Sequence, residues 1–230
     1  MTTSPADRPV ALVTGGTRGI GRAICAELAR THHVLVGGRD EADVRAAVEE
    51  LASASPFVAD VLDEDAVQRA CADIDRLDVL VHSAGIARRG RVEQLTREDW
   101  MAQLEVNVVA VADLTRRLLP ALRSAGGTVV ALNSGSGHSS HPGNGSYSAS
   151  KFALRALTDA LREEERGRVR VVSIHPGRVD TDMQVELQRA QGRDYDAGEH
   201  LRPESVAATV RLAVDASPEA MIEELTVRPV

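Results

Sequence analysis

Short apolar, β-branched runs alternate along this chain with longer stretches of helical period, and that alternation restricts the fold more than any other feature. The strand-like runs are Val10–Val13, His33–Val36, Phe57–Ala59, Val79–Val81, Thr128–Leu132 and Val169–Ile174, with a last one near Leu225. Helical period falls on Gly19–Arg30, Glu41–Leu51, Asp63–Ile74, Arg97–Leu122 and Tyr147–Arg166, and on a segment after Pro203. The strand runs have no polar alternate face, so both of their sides must be buried. The expectation is an α/β protein built on one doubly wound parallel sheet with helices on both faces. No linker, internal repeat or low-complexity run divides residues 1–230, which predicts a single domain. Ser134–Ser146 and Asp182–Arg202 read as loops at the carboxyl edge of the sheet, where open α/β sheets bind their ligands; the second is the expected substrate loop.

The first strand runs into Thr14-Gly15-Gly16-Thr17-Arg18-Gly19-Ile20-Gly21, which opens directly into a helix. Glycines at such a turn let backbone N–H groups approach a pyrophosphate at the positive end of the helix. A site for S-adenosylmethionine is the competing reading, but it wants an acidic residue at the end of the second strand to hold ribose hydroxyls. Here that strand ends in Gly37-Gly38-Arg39-Asp40. Arg39 and Arg18 converge on the point where a 2′-phosphate would lie, and guanidinium groups bind phosphate bidentately, so NADP(H) is preferred. The alternative is NAD(H), with Asp40 reaching the ribose.

Charge and composition narrow the function classes. A net charge of -7 opposes binding to nucleic acid or to anionic membranes. No stretch reaches the roughly 18 apolar residues that a membrane span needs. Residues Met1 to Pro9 carry no basic stretch of the secretory kind, and a cytoplasmic location is expected. Cys25 and Cys71 have no CxxC partner and read as reduced thiols. His138, His141 and His175 do not have the spacing of a helical zinc pair, and no carboxylate accompanies them in sequence, so no metal is expected.

Tyr147 and Lys151 stand four residues apart on a predicted helix, so both side chains leave one face. Lys151 is the only lysine among 27 basic side chains. A phenol with a pKa near ~10 is a poor proton carrier at neutral pH, and a close ammonium stabilises its phenolate.

With these residues in place, the chain resembles the classical short-chain dehydrogenase/reductase family, which has a Rossmann fold. The motifs that carry the resemblance are Thr14-Gly15-(x)3-Gly19-x-Gly21, Asp60-Val61, His82-Ser83-Ala84-Gly85, Asn107, Ser134, Tyr147-(x)3-Lys151 and Pro176-Gly177-(x)3-Thr181, in that order from Val10 to Val227. His82 and Ser83 replace the commoner asparagines of the fourth-strand motif. The resemblance implies that Tyr147 is the general acid/base and that Lys151 holds the nicotinamide ribose and lowers the tyrosine pKa. It implies that Ser134 stabilises charge on the substrate oxygen, with Ser136 a rival, and that Asn107 anchors a proton-relaying water. It assigns Gly15, Thr17, Arg18, Gly19, Ile20 and Gly21 to the pyrophosphate, Asp60 and Val61 to the adenine, and Ser83, Ala84 and Gly85 to the adenosine ribose. Pro176, Gly177, Val179 and Thr181 would close over the nicotinamide end. The implied activity is hydride transfer between NADP(H) and a small carbonyl/alcohol substrate, acting on CH–OH groups, in a homodimer or homotetramer. The alternative is an NADP(H)-binding sensor without turnover.

Overall fold

A computed structural model describes residues 8–190, 192 and 194–230; most of the amino-terminal stretch examined for a targeting signal lies outside them. Seven strands form one parallel sheet in the order β3-β2-β1-β4-β5-β6-β7. They are β1 (Val10–Thr14), β2 (His33–Gly38), β3 (Ala54–Val58), β4 (Val79–His82), β5 (Thr128–Leu132), β6 (Arg170–Pro176) and β7 (Glu224–Val227). The helices are α1 (Gly19–Leu28), α2 (Glu41–Glu49), α3 (Glu64–Cys71), α4 (Arg97–Leu104), α5 (Ala110–Ala125), α6 (Gly145–Glu164), α7 (Asp182–Ala190) and α8 (Pro203–Val214). The chain winds outward from β1 to β3 and then returns to place β4 on the other side of β1, so a switch point opens at the carboxyl ends of β1 and β4.

Alternate residues of β1 feed two different cores, which is why the strand has no polar face. Ala11 and Val13 pack with Ile24, Leu28, Val44 and Val206 of α1, α2 and α8. Leu12 packs on the other side with Val67, Leu114, Leu118 and Leu161 of α3, α5 and α6. Each fully buried leucine of this kind contributes on the order of 2 kcal/mol.

Four sequence expectations are changed, one of them β3, which runs Ala54–Val58 rather than Phe57–Ala59. β2 runs on to Gly38 because its glycines serve close packing rather than a turn: a Cβ on Gly37 would lie 2.8 Å from the Val13 carbonyl oxygen. The span read as one helix, Arg97–Leu122, is broken by a π-helical segment, Glu105–Val109, between α4 and α5. The span Asp182–Arg202, read as irregular, contains the helix α7 and a short 3-10 turn at Ala197–Glu199.

His82, the last residue of β4, is buried and shares a hydrogen bond of 2.8 Å between its Nε2 and Thr115 Oγ1 of α5. Burial pulls its imidazole pKa down to about 4. An unfolded histidine titrates near ~6.5, so below that pH the unfolded chain takes up a proton that the folded chain refuses. The contribution of His82 to stability is full above that value and is lost as pH falls toward 4. Between pH 7 and pH 5 it amounts to about 2 kcal/mol. Urea unfolding of wild type and His82→Asn at the two pH values should show wild type losing more stability by about that amount; parallel losses would remove the assignment.

Candidate active site

A cleft of about 390 Å³ lies at the switch point. Most of the residues assigned to the cofactor line it: Gly15 through Gly21 without Gly16, Arg39, Asp60, Val61, Ser83, Ala84, Gly85, Pro176 and Thr181, together with Tyr147 and Lys151. Gly177 and Val179 stand behind it. Gly177 N–H donates to the Val227 carbonyl at 2.7 Å, and Val179 is buried and bridges to Leu201. Asp182 and Met183 of α7 also line the cleft, as do Ile86, Val106, Leu132 and Asn133, none of which the motifs identified.

The phosphate end is built by close backbone approach. Thr14 Oγ1 accepts from the N–H groups of Ser83 and Ala84, each at 3.1 Å, and so ties the end of β1 to the segment after β4. Gly15 has φ 63°, a left-handed conformation that favours glycine. A Cβ on Gly21 would lie 2.0 Å from the Gly15 carbonyl oxygen. The helices α2, α3 and α4 are each capped by a side chain, from Asp40, Asp63 and Thr96. No side chain caps α1 at Arg18, so its first N–H groups stay available to an anion. The residues present therefore fit a dinucleotide pyrophosphate. Thr181 reaches across to this loop, its Cγ2 being 3.4 Å from where a Gly19 Cβ would stand.

At the other end α6 presents Tyr147 and Lys151. Lys151 is buried, its Nζ donates to the Leu132 carbonyl at 2.8 Å, and burial pulls its pKa down to about 8. Burial pushes the Tyr147 phenol above its ordinary value, while a hydrogen bond with Ser134 and the charge of Arg89 draw it part of the way back. Arg89 stands 5.5 Å and Lys151 Nζ 5.9 Å from the Tyr147 ring centroid. Arg89 had no signal in sequence beyond being one of a tandem pair.

Ser134 ends the segment after β5, and its Oγ accepts from Ser136 N–H at 3.1 Å. The rival Ser136 is engaged elsewhere, accepting from Asn144 Nδ2 at 2.9 Å. Asn107 lies buried in the π segment, and its amide makes three hydrogen bonds. Its Oδ1 accepts from Ile86 N–H, and its Nδ2 donates to the Ile86 carbonyl and to Ser150 Oγ, each at 3.0 Å. Ser150 Oγ in turn donates to the Tyr147 carbonyl at 2.8 Å. Asn107 thus joins the segment after Gly85 to the tyrosine helix.

The histidines change most between sequence and structure. His138 and His175 lie with ring centroids 4.1 Å apart, and the carboxylate missing from their sequence neighbourhood is supplied by Glu224 of β7. His141 is exposed and outside this group. His175 Nδ1 is 2.9 Å from the Ser134 carbonyl, which only accepts, so Nδ1 carries the proton. Arg155 Nη1 is 3.1 Å from His138 Nδ1 and only donates, so the proton of neutral His138 is on Nε2, 3.2 Å from Glu224. The His175 bond ties the main chain of Ser134 to β6, while the Nε2 atoms of both histidines face Glu224 without a hydrogen bond.

The sheet order defines a doubly wound α/β protein, and its carboxyl edge carries a cleft that brings the uncapped α1 together with Tyr147 and Lys151. The short chain dehydrogenase family model matches residues 9–192, and this chain belongs to that family, the short-chain dehydrogenase/reductase oxidoreductases. It is 34% identical over 96% of its length to an uncharacterized short-chain type dehydrogenase/reductase of Sinorhizobium fredii, covering 91% of that protein. It is 32% identical to the 2,3-dihydro-2,3-dihydroxybenzoate dehydrogenase of Escherichia coli, over 94% of this chain and 93% of the other. Among solved structures it matches an alcohol dehydrogenase from the archaeon Thermococcus sibiricus, complexed with 5-hydroxy-NADP, with a TM-score of 0.88, 27% identity and 97% of each chain covered. Among the described residues, no helix is long and apolar enough to cross a membrane.

Proposed function

We propose that this protein is an NADP(H)-dependent oxidoreductase that interconverts a carbonyl compound and its alcohol, with Tyr147 as general acid/base. The observation that carries the reading is Tyr147 together with buried Lys151 at one end of a cleft whose other end fits a pyrophosphate. A nicotinamide bound there supplies or takes up the hydride. Ser134 hydrogen-bonds the substrate oxygen and stabilises the charge that builds on it. Tyr147 gives its proton to that oxygen in reduction and takes it back in oxidation. Lys151, a buried cation on the same helix face, favours the phenolate that remains and holds the nicotinamide ribose.

Preference for NADP(H) is supported by Arg18 and Arg39, both lining the cleft, and by the engagement of Asp40, whose Oδ1 accepts from Asp43 N–H at 3.0 Å as the cap of α2. Arg39→Ala should weaken NADPH binding about ten-fold or more and leave NADH nearly unchanged, as loss of a charged hydrogen bond requires. Fluorescence titration with the two cofactors checks it, and equal weakening of both would remove the 2′-phosphate argument. Exposed Val109, the last residue of the π segment, and Phe152 on α6 are apolar positions that pairing of the helices around them in a homodimer or homotetramer would cover. The activity itself is tested by following NADPH absorbance with a panel of ketones and aldehydes. Cofactor binding without turnover of any of them would favour a sensor.

A further inference from the structure

Arg89 lies between β4 and α4 with its guanidinium over the Tyr147 ring at 5.5 Å. Its neighbour Arg88 is paired with Asp99 at 3.0 Å. Among the described residues no carboxylate pairs with Arg89, and its buried Nε has no hydrogen-bond partner. An unpaired cation with a buried, unmet donor is costly, and an exposed loop would ordinarily relax to let it reach water.

This loop is not free to relax. Arg88 N–H donates to Gln103 Oε1 at 3.0 Å, and the Arg88 carbonyl accepts from Ser146 Oγ at 3.1 Å. Buried Gln103 donates to the same Ser146 Oγ at 2.6 Å, and Gly90 N–H donates to the Gly143 carbonyl at 3.0 Å. Ser146 immediately precedes Tyr147, so these bonds hold Arg89 in register with the tyrosine. The arginines that line the cofactor cleft are Arg18 and Arg39, at its phosphate end; Arg89 stands outside that lining, against the Tyr147 ring, where the proposed reaction places the substrate.

We propose that Arg89 binds a carboxylate on the substrate, so that the carbonyl and alcohol compounds used by this protein are keto and hydroxy acids. The planar fork of a guanidinium matches a carboxylate bidentately, here through its two Nη groups, and among the described residues no protein carboxylate competes for it. This assignment rests on the reading of Tyr147 as the site of carbonyl reduction.

The test compares pyruvate, acetoacetate and levulinate, which place the carboxylate at three distances from the ketone, with their methyl esters. Wild type should prefer at least one acid over its ester by about ten- to hundred-fold in kcat/KM, the worth of a hydrogen bond to a charged group, and the preference should lie in KM. Arg89→Gln should bring that ratio near one, and Arg89→Lys should restore part of it. Calorimetry with NADP+ present, which cannot reduce a ketone, should show the acid binding to wild type and not to Arg89→Gln. If acid and ester rates fell together and the ratio survived, Arg89 would act on Tyr147 alone and the assignment would be overturned. It would also be overturned if wild type showed no acid preference in either rate or binding. Absence of all ketone reduction would count against the redox reading instead, and calorimetry on the free protein would still decide whether Arg89 takes a carboxylate.

Discussion

Tyr147→Phe should lower kcat by about 10²- to 10⁴-fold, the usual worth of a positioned general acid, while leaving NADPH affinity close to wild type. The substitution removes one oxygen and keeps the ring that Arg89 covers. The surroundings of half-buried Tyr147 therefore change little, and the loss reads proton transfer rather than packing. Burial and the neighbouring groups act on the phenol in opposite directions, burial being the largest, so the cofactor-free protein holds Tyr147 protonated, ready to donate. Single-turnover reduction of an accepted ketone, with cofactor affinity measured separately by fluorescence, distinguishes the two effects. Near wild-type turnover in the variant would end the assignment of Tyr147.

Gly21→Ala should have an effect of comparable size at the other end of the cleft. The new Cβ would stand 2.0 Å from the Gly15 carbonyl oxygen and 2.8 Å from its carbon, both main-chain atoms that cannot swing aside. The glycine loop or α1 must shift, and a displacement of about 1 Å at a binding site is enough for a loss on the order of 10²-fold. Overpacking of this kind also destabilises by about 1–3 kcal/mol. Gly145→Ala is the control, because its Cβ meets only Val92 at 3.9 Å and Trp100 at 4.0 Å, which is ordinary contact. Cofactor titration with both variants, alongside thermal unfolding, should show NADPH affinity lost in Gly21→Ala and kept in Gly145→Ala. Retained affinity in the first would mean that the loop adjusts without disturbing the phosphate site.

Much of the fold was legible because buried parallel strands must be apolar on both faces, and seven such runs stood out between helical stretches. The exceptions have local causes. β3 begins earlier than its apolar residues suggest, at Ala54, and includes Pro56; it is an edge strand, where a missing N–H costs no ladder bond. The helix α7 was hidden because five of its nine residues, Asp182, Gln184, Glu186, Gln188 and Arg189, are polar, so the segment reads as loop. The π segment at Glu105–Val109 leaves no trace in periodicity, since one wide turn shifts the apolar pattern by less than a position.

The sequence by itself determined the doubly wound sheet, the glycine loop and the tyrosine and lysine on one helix face. All three depend on residues close together in the chain, where period and spacing carry geometry directly. Only the tertiary structure decided what surrounds that pair. Arg89 reaches Tyr147 from 58 positions away, Glu224 meets His138 and His175 from the last strand, and Asn107 spends its amide on Ile86 and Ser150. Such contacts are made by the order in which the strands lie in the sheet, and no local pattern encodes which side chains that order brings face to face.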